Sequence, residues 1–318
     1  MILHKNNNPV FVVGSSRSGT TMLVRLMRNH LNINFGPESQ FIVRYYKKLH
    51  KYGDLESKNN FKKLVDDIAN ERFFKRARKN FNFEFNKQSC IHNIESKTYA
   101  ALIRNVFEQF AAQQGFQRWG DKTPEYSHRL EVIENLFPDA QYIHIVRDGR
   151  DVALSLFKTH FGPKNVYTAA KQWKTVVNSI DKFKKTVSEN KFLTLRYEDI
   201  LKNPKPKIFK LIAFLCHDCK KNIDMYNIEE SIIEYIDQKN FFKWKNFLND
   251  NQIEVFNSIA QEELIRYGYP VDHKNLRSIK FCHSLFWELQ NLYLRGKRLD
   301  TWQDNFYKLK LRLIDFLQ

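Results

Sequence analysis

Eight residues near the amino end, Gly14-Ser15-Ser16-Arg17-Ser18-Gly19-Thr20-Thr21, combine small side chains with one guanidinium. Small residues let backbone N–H groups converge on an oxyanion, and a following helix adds the positive end of its dipole. The spacing matches G-x-x-x-x-G, the pattern of a phosphate-cradling loop. The next residue is Thr20, where a nucleotide triphosphatase carries the lysine that reaches the β- and γ-phosphates. Its absence argues against ATP or GTP hydrolysis. Arg17 supplies instead a fork of donors suited to a planar or tetrahedral anion. The plainer reading is a glycine turn at a strand end. Flanking elements argue against it, because a strand before and a helix after are what an anion loop requires.

Those elements are legible. Val10-Phe11-Val12-Val13 reads as a buried strand ended by Gly14, and Thr20 to His30 as a helix with Met22, Leu23, Leu26 and Met27 at helical spacing. Residues 60–113 look mostly helical. Arg118-Trp119-Gly120 is a weak strand, Gln141 to Val146 a convincing one, and Phe192 to Leu195 another. Residues 151–160 and 167–187 read as helices, and a further helix follows the Pro204/Pro206 pair to about Leu215. Strands separated by helices predict a parallel sheet with helices on both faces, the doubly wound α/β class. After Pro270, Phe281, Leu285, Phe286, Leu289, Leu292 and Tyr293 make one helical stripe, and Phe306, Leu309, Leu313, Phe316 and Leu317 another. Such helices are expected to pack back on their own domain, with a dimer contact or a membrane-surface foot as the other readings. The expected organisation is a domain over 1–270 with a helical insertion at about 40–115, then a helical extension over 271–318.

Composition bounds the rest. The chain has 318 residues, 42% of them hydrophobic and 27 of them Phe, enough for a sizeable core. Its longest apolar run, Leu211 to Cys216, is far short of a membrane span, and residues 1–8 are too short and polar for a signal peptide. Four cysteines do not make a disulfide framework, so a reducing, cytoplasmic setting is expected. Cys216-His217-Asp218-Cys219 resembles half a zinc site without a second half, and Cys90 and Cys282 are isolated. Fifty-two Lys and Arg against 35 Asp and Glu leave +17, a field that favours anionic partners. Residues 40–91 hold thirteen of those bases and six acids. Within them, Phe73-Phe74-Lys75-Arg76-Ala77-Arg78-Lys79 mixes bases and aromatics as nucleic-acid binders do, but on a helix it is more simply a solvated basic face over a core stripe.

Taken together, the motifs resemble a known family. Pro9 to Thr21 is similar to the 5′-phosphosulfate loop of sulfotransferases that use 3′-phosphoadenosine-5′-phosphosulfate (PAPS). Tyr142 to Ser155, with Val146-Arg147-Asp148-Gly149-Arg150-Asp151 at its centre, resembles that family's 3′-phosphate segment. Phe35-Gly36-Pro37-Glu38-Ser39 and Asp121-Lys122-Thr123-Pro124 resemble the blocks that carry the catalytic carboxylate and lysine in tyrosylprotein sulfotransferases and their bacterial relatives. The offsets Arg17 to Glu38 and Lys122 to Arg147 agree with that branch. In cytosolic sulfotransferases the second block ends in a histidine base. Pro124 stands there in this chain, which removes that mechanism.

The resemblance implies a P-loop type parallel sheet and a sulfuryl transfer from PAPS to a hydroxyl acceptor, leaving adenosine 3′,5′-bisphosphate. Glu38 is then the expected base, with Lys122 and Arg17 neutralising charge on the leaving phosphate and the sulfuryl oxygens. Ser18, Gly19, Thr20 and Thr21 would hold the 5′-phosphate, and Arg147 and Ser155 the 3′-phosphate. Tyr197, in Leu195-Arg196-Tyr197-Glu198-Asp199, would face the adenine, and Lys245, in Phe242-Lys243-Trp244-Lys245, would close over the donor. No metal is required, because these cations replace one.

Each assignment has a plainer counterpart: Glu38 as a helix N-terminal carboxylate, Lys122 as a turn lysine, Arg147 as a partner of Asp148 or Asp151. Arg150 is expected to make a structural salt bridge. Expected acceptors are a peptide tyrosine, a glycan or a small metabolite, anionic if the basic segment steers it, and no nucleic acid is expected. Two rivals are a P-loop kinase-like phosphotransferase and a basic nucleic-acid or membrane-binding protein with a vestigial loop. The changed Thr20 opposes the first. The set Arg17, Glu38, Lys122 and Arg147 opposes the second.

Overall fold

A computed structural model of the chain describes residues 8–215, 240–272, 276, 279 and 281–296. Cys216, Cys219 and the stripe from Phe306 to Leu317 lie outside the described residues. The chain divides into two compact units, the first comprising Met1–Gly14, Gly19–Val146 and Ser179–Lys239, the second Ser15–Ser18, Arg147–Asn178 and Asn240–Gln318.

The first unit holds a five-stranded, wholly parallel sheet flanked by helices: β1 (Val10–Val13), β2 (Ile33–Phe35), β3 (Arg118–Asp121), β4 (Gln141–Val146) and β5 (Phe192–Arg196), in the order β2-β3-β1-β4-β5. The predicted strands are all present, and β2 is an additional one. Its three residues, with polar Asn34 in the middle, give no periodicity to read; register with β3, Asn34 opposite Trp119, makes it a strand. β1 lies between β3 and β4, where Val10 to Val13 are no more than 2% exposed. Such two-sided burial is why the run is continuously apolar rather than alternating.

Five α-helices and one short 3₁₀ helix connect β2 to β3, from Ile42–Tyr46 to Tyr99–Gln113. Their core is aromatic: Phe41, Phe73, Phe74, Phe83 and Phe110 are buried in mutual contact. Lys75, Arg76, Arg78 and Lys79 are exposed on the opposite side of the Arg72–Phe81 helix. Phe73 and Phe74 of this segment are buried in the core beneath that basic face. Among the described residues no helix is long and apolar enough to cross a membrane.

In the second unit, the Gly149–Phe157 helix begins against Trp173 and Phe256 so closely that a Cβ on Gly149 would stand 2.5 and 2.6 Å from their rings. The Phe281–Gly296 helix is fastened by Asn165 Nδ2 to the Trp287 carbonyl (2.7 Å), by the Lys164 amide to Asn291 Oδ1 (2.8 Å) and by the Lys171–Glu288 ion pair. These contacts come from the side of the helix that carries Trp287, stacked on Tyr167, together with Glu288 and Asn291. The stripe that periodicity marks as the packing face points outward, with Phe286, Leu292 and Tyr293 each at least 60% exposed. Hydrogen bonds from Asn165 and Lys164 to Trp287 and Asn291 fix the rotation of this helix, and no periodicity registers them.

Candidate active site

Two side chains from consecutive sheet-edge loops meet in the first unit. Glu38 follows β2 and Lys122 follows β3, and both strands end at the same carboxyl edge of the sheet, where loop residues of an open α/β sheet converge. Lys122 Nζ donates to Glu38 Oε1 at 2.5 Å across 84 residues of sequence, with the two side chains 17% and 32% exposed. Glu38 stands in the loop, four residues before the Ile42–Tyr46 helix. It is therefore no helix N-terminal carboxylate.

Beneath the pair lies a buried polar cluster. Asp121 accepts from Ser39 Oγ at 2.7 Å and from Thr123 Oγ1 at 2.9 Å, and the Ser39 amide donates to Thr123 Oγ1 at 3.0 Å. Tyr126 joins its hydroxyl to Ser39 Oγ at 2.7 Å and accepts from the Ile42 amide at 3.0 Å. Burial pushes the Asp121 carboxyl up to about 6 against the opposing hydrogen bonds from Ser39 and Thr123. Sequence reasoning passes over Tyr126 and treats Ser39, Asp121 and Thr123 only as neighbours. Their short polar types beside two chemically active residues were the available signal. Pro124, in place of a histidine, opens the short Pro124–His128 helix with its fixed φ.

Also in the first unit, Gly14 and Gly19 bracket the loop at positive φ, 152° and 95°. A Cβ on Gly19 would stand 2.4 Å from the Tyr197 ring, so Tyr197 backs directly onto the loop. The Thr20–His30 helix opens at Gly19 with no side-chain cap, which leaves its first N–H groups for an outside acceptor. Thr20 is buried and Thr21 exposed at that terminus.

The second unit gathers the remaining predicted residues. Arg17, itself at φ 73°, donates from Nε to Ser155 Oγ at 2.9 Å. Arg147 Nη1 donates to the Arg17 carbonyl at 3.3 Å and Nη2 to the Asn240 carbonyl at 2.8 Å, while Asp151 is 3.9 Å away. Arg147 thus binds the Arg17 and Asn240 carbonyls as well as pairing with Asp151. Arg150 does form the structural salt bridge the sequence suggests, to Asp148 at 2.8 Å with both side chains fully buried. Trp244 is anchored by its amide to Asp151 (2.9 Å), by its indole N–H to Asp148 (3.0 Å) and by the Arg150 guanidinium 3.7 Å from its ring centroid. Lys245, exposed, lies over the rings of Phe242 and Trp244 at 5.5 and 5.8 Å.

Comparisons with known proteins identify the family. A model of the sulfotransferase family matches residues 9–219. The chain belongs to that family. Among curated proteins, this sulfotransferase is 20% identical over 280 residues to protein-tyrosine sulfotransferase A of Caenorhabditis elegans, covering 82% of this chain and 67% of the nematode protein. It is 22% identical over 244 residues to the omega-hydroxy-beta-dihydromenaquinone-9 sulfotransferase Stf3 of Mycobacterium tuberculosis, covering 65% of this chain and 62% of the relative. Among solved structures, the sulfotransferase domain of the curacin biosynthetic pathway superposes with a TM-score of 0.52 at 19% identity, covering 83% of this chain and 99% of that one. The fold expectation is thereby met.

As a member of this family the protein is an enzyme whose expected donor is PAPS, and the residues present suit such a donor. In the second unit Ser18 Oγ is buried without a hydrogen-bond partner among the described residues, next to Arg17 in the chain and directly before Gly19. In the first, a glycine-bounded turn and uncapped helix N–H groups suit a phosphate oxygen.

Proposed function

We propose that this sulfotransferase moves the sulfuryl group of PAPS to a hydroxyl acceptor, with Glu38 as the general base. The observation that carries the reading is the Glu38–Lys122 pair at 2.5 Å. When bound, PAPS supplies a sulfuryl group on a phosphate leaving group. The chain's residues then have four tasks. Glu38 Oε1 accepts from Lys122, so Oε2 takes the proton of the acceptor hydroxyl. Lys122 carries two further N–H donors for the oxygens on which negative charge builds. Arg17, with Ser18, Gly19, Thr20 and Thr21, holds the 5′-phosphate and keeps its oxygens oriented. Arg147 and Ser155 take the 3′-phosphate, with Tyr197 against the adenine and Lys245 over the donor. Positioning and electrostatics dominate such loose transfers, and covalent help from the protein is unnecessary.

In this reading residues 1–270 form the sulfotransferase domain, about 40–115 its helical insertion, and 271–318 the extension. The hydroxyl acceptor is a peptide tyrosine, a glycan or a small hydroxylated metabolite. The tyrosine and hydroxylated-menaquinone specificities in the names of the two relatives support this range. The test is Glu38→Gln, which keeps shape and removes the base. Adenosine 3′,5′-bisphosphate binding by calorimetry should be unchanged. Turnover of PAPS with an acidic tyrosine peptide, an oligosaccharide or a hydroxylated quinol should fall roughly 10²–10⁴-fold on whichever acceptor the parent uses. Retained activity in the variant, or no parent turnover with any of the three, refutes the reading.

A further inference from the structure

Among the described residues no backbone–backbone hydrogen bond joins the Glu38 loop to the Lys122 loop beyond the β2–β3 pairing, yet the charged atoms of the two residues meet at 2.5 Å. The neighbours of each explain how. Ser39 directly follows Glu38, and Asp121 and Thr123 flank Lys122 on both sides. The Asp121 carboxylate takes one hydroxyl from each loop, Ser39 Oγ at 2.7 Å and Thr123 Oγ1 at 2.9 Å, while the Ser39 amide returns a bond to Thr123 Oγ1. Tyr126 ties the same Ser39 hydroxyl to the Ile42 amide, and Tyr99 fixes the Ile42 carbonyl at 2.7 Å. Asp121, Ser39, Thr123 and Tyr126 are each at most 3% exposed.

We propose that Asp121 is a positioning residue, a buried anionic clasp that closes the Glu38 loop on the Lys122 loop and thereby sets the reacting geometry of the pair. This rests on the reading of Glu38 as base. A buried carboxylate held by hydroxyls costs more than a neutral side chain of the same shape, so stability alone does not call for one. Its use follows from acceptor-only chemistry: Oδ2 faces the Ser39 and Thr123 hydroxyls at 2.7 and 3.0 Å and Oδ1 faces Thr123 at 2.9 Å, whereas an amide would replace one of these acceptors with an NH₂ donor. The upward pull of burial on its carboxyl is the mark of that cost. Clasps of this kind keep catalytic groups within the fraction of an ångström that turnover needs.

The experiment compares Asp121→Asn, Glu38→Gln and their double variant with the parent. The first readout needs no donor: the rate at which acetic anhydride modifies Lys122, followed by mass spectrometry, with exposed Lys75 as internal standard. Asp121→Asn is expected to speed Lys122 labelling several-fold, to the level of Glu38→Gln, with no further rise in the double variant and no change at Lys75. The second is turnover with PAPS and the acceptor the parent uses. Asp121→Asn is expected to lower kcat about 10- to 100-fold with little change in KM or in adenosine 3′,5′-bisphosphate affinity, and to add nothing to Glu38→Gln, as groups acting as one unit do. Unchanged Lys122 labelling, or independent and multiplicative losses in the double variant, overturns the proposal while leaving Glu38 as base. Full activity in Glu38→Gln overturns both. If Asp121→Asn does not fold, Ser39→Ala removes one arm of the clasp and must give the same labelling and kcat effects, or the proposal fails.

Discussion

Gly19→Ala tests the close approach on which the phosphate loop depends. Gly19 sits at φ 95° and ψ 10°, in the left-handed region, where an L side chain costs about 1–2 kcal/mol. Its new Cβ would stand 2.4 and 2.7 Å from the Tyr197 ring carbons Cδ2 and Cε2, and 3.3 Å from Ile145 Cδ1. Carbon atoms pack at about 3.5–4.0 Å, so ring or loop must move by about 1 Å. Overpacking of that order in a buried site costs about 1–3 kcal/mol, and Tyr197 is only 4% exposed. The expected loss is therefore about 2–5 kcal/mol by urea unfolding, with weaker adenosine 3′,5′-bisphosphate binding because the displaced turn carries the first helical N–H groups. Tyr197→Ala removes the obstacle but not the dihedral. In that background Gly19→Ala should cost only about 1–2 kcal/mol, a coupling the four-protein cycle isolates. Equal costs in the two backgrounds would refute the clash argument, and a loss below about 1 kcal/mol would refute the dihedral one as well.

Two further outcomes follow from the same atoms. Arg147→Ala should weaken adenosine 3′,5′-bisphosphate by about 2–3 kcal/mol in calorimetry while leaving AMP almost unaffected, since in the proposed reading the lost charge-assisted contact is to the 3′-phosphate; equal effects on both ligands would place Arg147 elsewhere. Stability against pH should reveal two buried groups of opposite sign. His144, 1% exposed, is held down to about 4 by burial, so the unfolded chain takes a proton that the native state refuses, and stability is lost as pH falls from about 6.5 towards 4. Asp121, raised to about 6, binds its proton first in the native state, and stability is gained as pH falls from about 6 to 4. Each effect amounts to about 3 kcal/mol. Relative to the parent over pH 4–6, His144→Val should therefore gain stability on acidification and Asp121→Asn should lose it. Parallel curves for all three proteins would contradict the burial argument.

Local chemistry and short-range periodicity determine much of this protein. The loop Gly14 to Thr21 announces itself because glycine at a positive φ, a small-residue run and a following helix are all properties of adjacent residues. The same holds for β1 and β4, whose continuous apolar runs reflect burial on both faces, and for the Arg72–Phe81 helix, whose alternation of phenylalanines and bases foretells a core stripe under a solvated face. The resemblance to the sulfotransferase family, rather than local chemistry alone, pointed to Glu38, Lys122, Arg17, Arg147 and Ser155 as the expected reacting and binding set.

Tertiary structure decided which of these residues meet. β2 exists because β3 pairs with it, not because Ile33-Asn34-Phe35 prefers a strand. The 84-residue separation of Glu38 and Lys122 is closed by Asp121, Ser39, Thr123 and Tyr126, four side chains whose significance lies in hydrogen-bond partners no local pattern encodes. The Phe281–Gly296 helix seats the side with Trp287 and Asn291 rather than its apolar stripe, because Asn165 and Lys164 bind backbone and amide groups there and Tyr167 stacks on Trp287. The physical reason is common to all three. Propensity and periodicity are set by a residue and its near neighbours, whereas a buried hydrogen bond is made or lost according to what the rest of the chain brings within 3 Å of it.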